Sequence, residues 1–99
     1  MTTLTCVSPI DGSVFATREA LPLEAARQAA RRARAAQAAW AARPLAERTA
    51  LVMAGVAAIG EMNDEIVPEL ARMMGRPVRY GGEFRGFHER AAYMAQIAE

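Results

Sequence analysis

Prolines and glycines divide this 99-residue chain into short segments, and they constrain its fold more than any other feature. Pro22 and Pro44 each precede an Ala-rich apolar run, where the fixed φ of proline suits the first turn of a helix. Gly75 and Pro77 follow a later run, because glycine readily ends a helix and proline does not simply continue one. The chain is therefore predicted to form several short helices with abrupt ends.

The first twenty residues carry a different pattern. Residues 4–7 and 14–17 are β-prone, and they flank a turn sequence that contains Pro9 and Asp11-Gly12. This arrangement predicts a β-hairpin over about residues 4–18. Two strands alone are only marginally stable in water, so the hairpin is expected to lie on another surface.

After the hairpin, apolar residues at three- and four-residue spacing predict helices over about residues 22–41, 44–60, 62–74 and 78–97. The fold class is thus mainly α with an N-terminal β-hairpin. The expected apolar stripes are Leu23, Ala26, Ala30, Ala33 and Trp40; Leu45, Val52, Val56 and Ile59; Met62, Ile66, Leu70 and Met73; and Tyr80, Phe84, Phe87, Ala91 and Met94.

Local signals also predict where the last two helices begin. Asn63 or Asp64 is expected to cap the third helix, and Pro68 is tolerable there if it lies in the first turn of that helix. Gly81 and Gly82 weaken the start of the last helix, whose stripe is expected to begin at residue 80. The aromatic residues of that stripe are expected to form core rather than a ligand pocket.

Composition excludes several functional classes. All twelve basic residues are arginine, so a phosphate-binding loop that needs lysine and a Schiff-base lysine are both impossible within this chain. Cys6 is the only cysteine, which leaves no intrachain disulfide or thiolate zinc site and favours a reducing, cytoplasmic location. A net charge of +1 and the absence of a long apolar run predict neither a nucleic-acid partner nor a membrane partner.

Two residues invite a catalytic interpretation. Cys6 would need a nearby base, a cationic neighbour or a helix N-terminus to become a nucleophile, yet it lies inside a predicted strand. His88 would need a cleft and a proton-transfer partner, and its surroundings predict neither. Structural or surface roles are therefore expected for both.

Two charged clusters invite a binding interpretation. The carboxylates lack the spacing of a known metal cage, and the arginines have no interleaved aromatic residues for stacking on bases. Both are expected to be solvated helix faces, so no catalytic, cofactor-binding or metal-binding residue is predicted in this chain. The carboxylates are Glu61, Asp64, Glu65 and Glu69, and the arginines are Arg27, Arg31, Arg32 and Arg34.

Several short motifs resemble, in their order and spacing, the N-terminal part of the NAD(P)-dependent aldehyde dehydrogenase superfamily. Residues 8–14 are similar to an Asn-Pro-x-x-Gly-Glu-Val opening, and an Ala- and Arg-rich helix follows that ends at Trp40. Residues 75–77, Gly-Arg-Pro, stand in the place of a Glu-Thr-Gly-Lys-Pro motif. The other matching positions are Pro44, Glu47, Arg48, Leu51 and Tyr93.

The resemblance implies a fragment of an α/β, Rossmann-type fold and an enzyme that oxidises an aldehyde to a carboxylic acid with NAD or NADP. Some members hold a monovalent cation with an acidic side chain and carbonyls near the first strand. Met73 stands at the acidic position, and the carbonyls would belong to about Cys6 and Val7, so that site is not expected here. The catalytic cysteine, the cofactor-binding segments and the main oligomerisation strands are expected beyond residue 99.

The chain is accordingly interpreted as one N-terminal segment, residues 1–99, that is inactive alone and binds no cofactor. Its expected partner is the remainder of the enzyme or a further copy bound through apolar helix faces. The alternative is a free-standing helical interaction module without catalysis. A third and weaker interpretation is nucleic-acid contact through the arginine cluster.

Overall fold

The computed structural model describes residues 2–98 as a β-hairpin followed by helices, which confirms the predicted mainly α class with an N-terminal hairpin. The Rossmann-type part of the prediction is not tested by these residues. The elements are β1 (Thr3–Val7), β2 (Val14–Glu19), α1 (Leu23–Ala42), α2 (Leu45–Glu61), α3 (Asn63–Met74), a 3-10 turn (Val78–Tyr80) and α4 (Phe84–Ile97).

The hairpin is antiparallel and contains an irregularity next to its turn. Its register pairs Cys6 with Ala16 and then Val7 with Val14, so Phe15 is an extra residue on β2. Such a bulge bends the strand locally and re-aims the side chain that it inserts. Phe15 is half-buried there, and it lies toward α3.

The turn of the hairpin is closed by main-chain hydrogen bonds. The Ser8 amide donates to the Ser13 carbonyl at 2.8 Å, and the Gly12 amide donates to the Ser8 carbonyl at 2.9 Å. Gly12 has a φ of 76°, a left-handed conformation that glycine adopts without steric penalty. Ser8 itself is 4% exposed, although it is polar.

The prolines and Gly75 act at the helix ends as predicted. Pro22 and Pro44 immediately precede α1 and α2, and their carbonyls accept the first helical hydrogen bonds. Gly75 ends α3 with a φ of 73°, and its amide donates to the Ala71 carbonyl at 2.9 Å. The single left-handed residue satisfies one of the carbonyls that a helix end leaves unpaired.

The start of α3 differs from the prediction. Asn63 is already helical, Met62 occupies the N-cap position, and no side chain caps the helix. Pro68 is the sixth residue of α3, so it lies beyond the first turn. Proline has no amide hydrogen, which leaves the Asp64 carbonyl without its usual helical partner.

The start of α4 also differs. Helical structure over residues 78–97 is interrupted, because the 3-10 turn ends at Gly81 with a φ of 69° and α4 begins only at Phe84. Glycine adopts this positive φ without the steric penalty that a side chain would meet. Tyr80 therefore precedes α4 and is not part of its apolar stripe.

The described residues form a flat, open arrangement. The radius of gyration is 17.7 Å, whereas a compact chain of this length has about 13 Å. The accessible surface is 7832 Å², against roughly 5,500 Å² expected for a compact protein of this mass. Within residues 2–98, Val56 is the only apolar residue that is buried, at 4% exposure.

Helix packing explains this surface. α2 packs most extensively on α4 and more lightly on α3, while α1 packs extensively on no other element. None of the helices within residues 2–98 is long and apolar enough to cross a membrane.

Several predicted core positions are consequently exposed. Leu23 is 68% exposed; of the predicted stripe of α1 only Trp40 is half-buried, and the other half-buried residues of this helix are Ala25 and Ala29. Phe87 and Met94 on α4, which the sequence assigned to a core, are also exposed. Their stripes follow helical spacing correctly, but no described element covers them. Among the large side chains of the predicted stripes, Val52, Ile59, Met62, Met73 and Tyr80 are also more than 40% exposed.

Candidate functional site

Cys6 is a free, half-buried thiol on β1. It lines an open groove between the hairpin and α3 together with Phe15, Glu69 and Met73. Met73 thus lies near Cys6 on β1, where the family resemblance would place the carbonyl ligands of a monovalent cation. The thioether of Met73 is, however, a poor ligand for a hard cation. Among residues 2–98, no group of three His, Cys, Asp or Glu side chains is placed to hold a metal ion.

His88 lies elsewhere, on the exposed side of α4. Its ring centroid is 5.8 Å from that of Phe84, and the two rings are tilted by 51°. His88 and Cys6 belong to separate elements, and the groove that Cys6 lines contains no residue of α4. The structure therefore does not bring this base and this thiol together.

The two charged clusters are exposed, as solvated helix faces would be. Arg31 is the only member of the arginine cluster with an ion pair to the described residues, and it contacts Glu24 on its own helix at 2.7 Å. The carboxylate cluster extends from the last turn of α2 along α3. The clusters lie on different helices, and neither encloses a pocket.

The arrangement that the structure does build is a set of three junctions between elements. The first joins the hairpin turn to the end of α3. A Cβ atom on Gly75 would lie 3.2 Å from Pro9 Cγ, and the Arg72 guanidinium lies 5.8 Å from the centre of the Phe15 ring. Residues of the two motifs around positions 8–14 and 75–77 therefore meet, although more than sixty residues separate them.

Asp11 organises the turn at this first junction. Its Oδ1 accepts hydrogen bonds from the Ser13 hydroxyl at 2.6 Å and from the Ser13 amide at 2.9 Å. The bond from the Ser13 hydroxyl contributes most to lowering the pKa of the Asp11 carboxyl below 3.8, and the bond from the Ser13 amide adds to it. The positive charge of Arg72 acts in the same direction. Arg72 was not singled out by the sequence, because its role depends on a contact with a distant segment.

The second junction holds the loop between α3 and α4. Arg76 forms an ion pair with Glu83 across this loop, and its Nε atom is buried without a hydrogen-bond partner among residues 2–98. A Cβ atom on Gly82 would lie 3.0 Å from Asn63 Oδ1 and 3.2 Å from Val67 Cγ2. The loop therefore runs close against α3, where only glycine fits without a shift of its neighbours.

The third junction is the corner between α1 and α2. Arg43 Nε contacts Glu47 Oε2 at 3.2 Å, and Arg48 Nε donates to the Arg43 carbonyl at 3.1 Å. Arg48 also lines a small apolar groove with Trp40 and Met94. The matching positions Glu47 and Arg48 thus fix the turn between two helices.

These three junctions set the positions of the elements relative to one another. A model of the aldehyde dehydrogenase family matches residues 1–99. Searches of curated proteins and of solved structures each returned no match. The match extends over the whole sequence, including all three junctions, and the chain therefore belongs to the aldehyde dehydrogenase family.

Proposed function

We propose that this chain forms the N-terminal part of an enzyme that oxidises an aldehyde to a carboxylic acid with NAD or NADP, and that its own role is architectural. The observation that carries the proposal is the uncovered apolar surface. The accessible surface exceeds that of a compact chain by roughly 2,300 Å², and Val56 is the one buried apolar residue of the described part. Because the chain belongs to an enzyme family, we infer that the remainder of an enzyme covers this exposed apolar surface.

The exposed apolar residues of α2 and α4 are numerous enough to favour a large partner surface that packs on both helices. Phe87, Met94 and Ile97 on α4 and Leu51 and Val52 on α2 are all more than 40% exposed. Val52 and Met94 also line one groove between these two helices, and exposed apolar patches on soluble chains usually mark interaction surfaces. The remainder of the enzyme is the proposed partner for them.

The side chains and turns of residues 2–98 match neither what the catalytic step requires nor what binding of the nicotinamide cofactor requires. Aldehyde oxidation in this family would need a cysteine thiolate to add to the aldehyde carbon, a cofactor to accept hydride from that carbon, and water to release the acid from the resulting thioester. The groove of Cys6 contains the carboxylate of Glu69 but no helix N-terminus, and no glycine-rich turn leads from a strand into a helix N-terminus within residues 2–98. The catalytic and cofactor-binding groups are therefore proposed to lie in another part of the enzyme.

The first test is an activity assay of the purified 99-residue chain with aldehydes and with NAD or NADP. We expect no formation of reduced nicotinamide above the protein-free rate, since the chain supplies support and no reacting group. Turnover by a preparation of verified mass would contradict the architectural role.

The second test is complementation. The coding sequence after codon 99 is read, and the in-frame polypeptide that follows is produced separately and mixed with this chain. We expect dehydrogenase activity only in the mixture. Val56→Asp should abolish the complementation because it places a charge at the buried position, whereas exposed Arg90→Ser should leave it intact.

The alternative function is a free-standing helical interaction module. The apolar groove beside Trp40 favours it, because such a groove is a common site for a partner segment. A stop codon directly after codon 99, together with a stable monodisperse chain in solution, would favour this alternative over the enzyme segment.

A further inference from the structure

A small apolar groove lies where the end of α1 meets α2 and α4. Trp40, Val52 and Met94 line it, and its volume is about 260 Å³. Trp40 is half-buried, whereas Val52 and Met94 are 49% and 51% exposed, so the described elements leave the groove open. Pockets for drug-sized ligands have volumes of roughly 300–1,000 Å³. This groove therefore suits a smaller occupant, such as one large apolar side chain.

One charged side chain lines the groove. Arg48 is half-buried there, and its Nε atom donates to the Arg43 carbonyl at 3.1 Å, which restrains the guanidinium. The neighbouring Thr49 already directs its hydroxyl to the Leu45 and Ala46 carbonyls. Arg48 is therefore the side chain that decides which polar group the groove accepts.

The charge of Arg48 has no partner in the described chain. Arg48 forms no ion pair with residues 2–98, and none of the residues that line the groove carries a carboxylate. Its bond to the Arg43 carbonyl uses one of the five N–H groups of a guanidinium. The others are suited to a carboxylate, which a guanidinium binds through two parallel hydrogen bonds, whereas a lysine or arginine side chain would be repelled.

We propose that the groove receives an apolar side chain of the remainder of the enzyme, and that a carboxylate of the same segment pairs with Arg48. The docking rests on the proposed function, because its partner is the remainder of the enzyme, and it names the chemistry of the segment that docks. Leu51 and Ile97 continue the exposed apolar surface on the same two helices, so this segment would belong to the larger contact proposed above. A nucleic acid would need several cations along its backbone, and the groove offers one.

Trp40 is the only tryptophan of the chain, which makes the groove directly observable. The 99-residue chain is labelled with 5-fluorotryptophan, so a single fluorine NMR resonance reports the groove. The probes are the blocked dipeptides acetyl-Leu-Glu-amide, acetyl-Leu-Gln-amide and acetyl-Leu-Lys-amide, which share an apolar side chain and differ in charge. We expect the glutamate peptide to shift the resonance in the millimolar range with a Kd at least about fivefold lower than that of the glutamine peptide, and the lysine peptide to bind most weakly.

Substitutions of Arg48 separate its charge from its bond to the helix corner. Arg48→Gln should abolish the preference for the glutamate peptide. Arg48→Lys also loses the bond to the Arg43 carbonyl, yet it keeps the positive charge and should retain a preference of at least about twofold. Arg27→Gln removes the same charge from the other end of α1, where the side chain is exposed, and should leave the preference within about twofold of the original. Far-ultraviolet circular dichroism confirms that each variant retains the native helix content.

A second measurement uses the intact polypeptide that the gene encodes through codon 99 and beyond. Arg48→Gln should lower its Tm by at least about 2 °C more than Arg48→Lys does, because the docked carboxylate would keep a cationic partner only in the lysine variant. Equal losses in the two variants would show that Arg48 acts through the helix corner alone and would overturn the docking.

The docking and the proposed function fail in different ways. A glutamate peptide that binds no better than the glutamine peptide, or a resonance that none of the peptides shifts, would overturn the docking and leave the proposed function standing. An intact polypeptide without turnover of aldehydes and NAD or NADP would contradict the proposed function alone. A gene that stops at codon 99 would remove the proposed partner and would contradict both.

Discussion

Gly60 lets α2 and α4 approach one another, and replacing it by alanine tests that contact. A Cβ atom at this position would lie 2.5 Å from Phe84 Cζ and 3.0 Å from Cε1 and Cε2 of the same ring. The two helices form the most extensive helix–helix contact of the described chain. Gly60→Ala must therefore displace the ring of Phe84 by about 1 Å to restore an ordinary carbon–carbon distance.

Two effects of opposite sign decide the result. Alanine favours a helix over glycine by about 1 kcal/mol, whereas overpacking a contact destabilises a protein by about 1–3 kcal/mol. We expect overpacking to prevail, with a net loss of about 1 kcal/mol in the free energy of unfolding. Gly55 on the same helix has no atom within 4 Å of its Cβ position, so Gly55→Ala should gain about 1 kcal/mol.

The assay compares the two alanine variants by thermal unfolding, followed by far-ultraviolet circular dichroism at one fixed protein concentration. Their difference of about 2 kcal/mol corresponds to roughly 8–16 °C in Tm for a domain of this size. Adding Phe84→Leu removes the clashing ring atoms and should recover about 1–2 kcal/mol of coupling in a double-variant cycle with Gly60→Ala. Equal stabilisation by both alanine variants, or a cycle without coupling, would refute the close approach.

Two further predictions concern the junction between the hairpin and α3. Gly75→Ala places a side chain at a φ of 73° and 3.2 Å from Pro9 Cγ, so it should destabilise the chain by at least about 1 kcal/mol; an unchanged Tm would contradict this. For Asp11, an NMR titration should give a pKa below 3.8 that returns toward that value in Ser13→Ala, and an identical midpoint in both proteins would count against the hydrogen-bond cause. Because the folded pKa is the lower one, the contribution of Asp11 to stability is present above the unfolded pKa and is lost as the pH falls through the folded pKa.

Features that depend on nearby residues were predictable from the sequence. Pro22, Pro44 and Gly75 set helix ends through their own backbone restrictions, and the Asp11-Gly12 turn closes through bonds within a few residues. Their outcome needs no information about distant parts of the chain. For this reason the sequence alone was enough to predict the hairpin and the two helices that begin after Pro22 and Pro44.

Features that depend on distant contacts were not predictable in the same way. Asn63 is a good N-cap residue, yet it is helical here and its amide oxygen lies close to Gly82 of the following loop. Periodicity located the apolar stripe of α1, but it did not show that Ala25 and Ala29, rather than Leu23, would be half-buried. Which face of a helix is covered is decided by its neighbours, and the contact of Arg72 with Phe15 was missed for the same reason.

The residues of this chain that match the family motifs make contacts at the three junctions between elements. Pro9 contacts Gly75, Glu47 and Arg48 fix the corner between α1 and α2, and Arg76 pairs with Glu83 across a loop. Each contact sets the direction in which one element leaves another, and none of them places a reacting group. A short segment is thus recognisable as a member of an enzyme family through the residues that shape its backbone path.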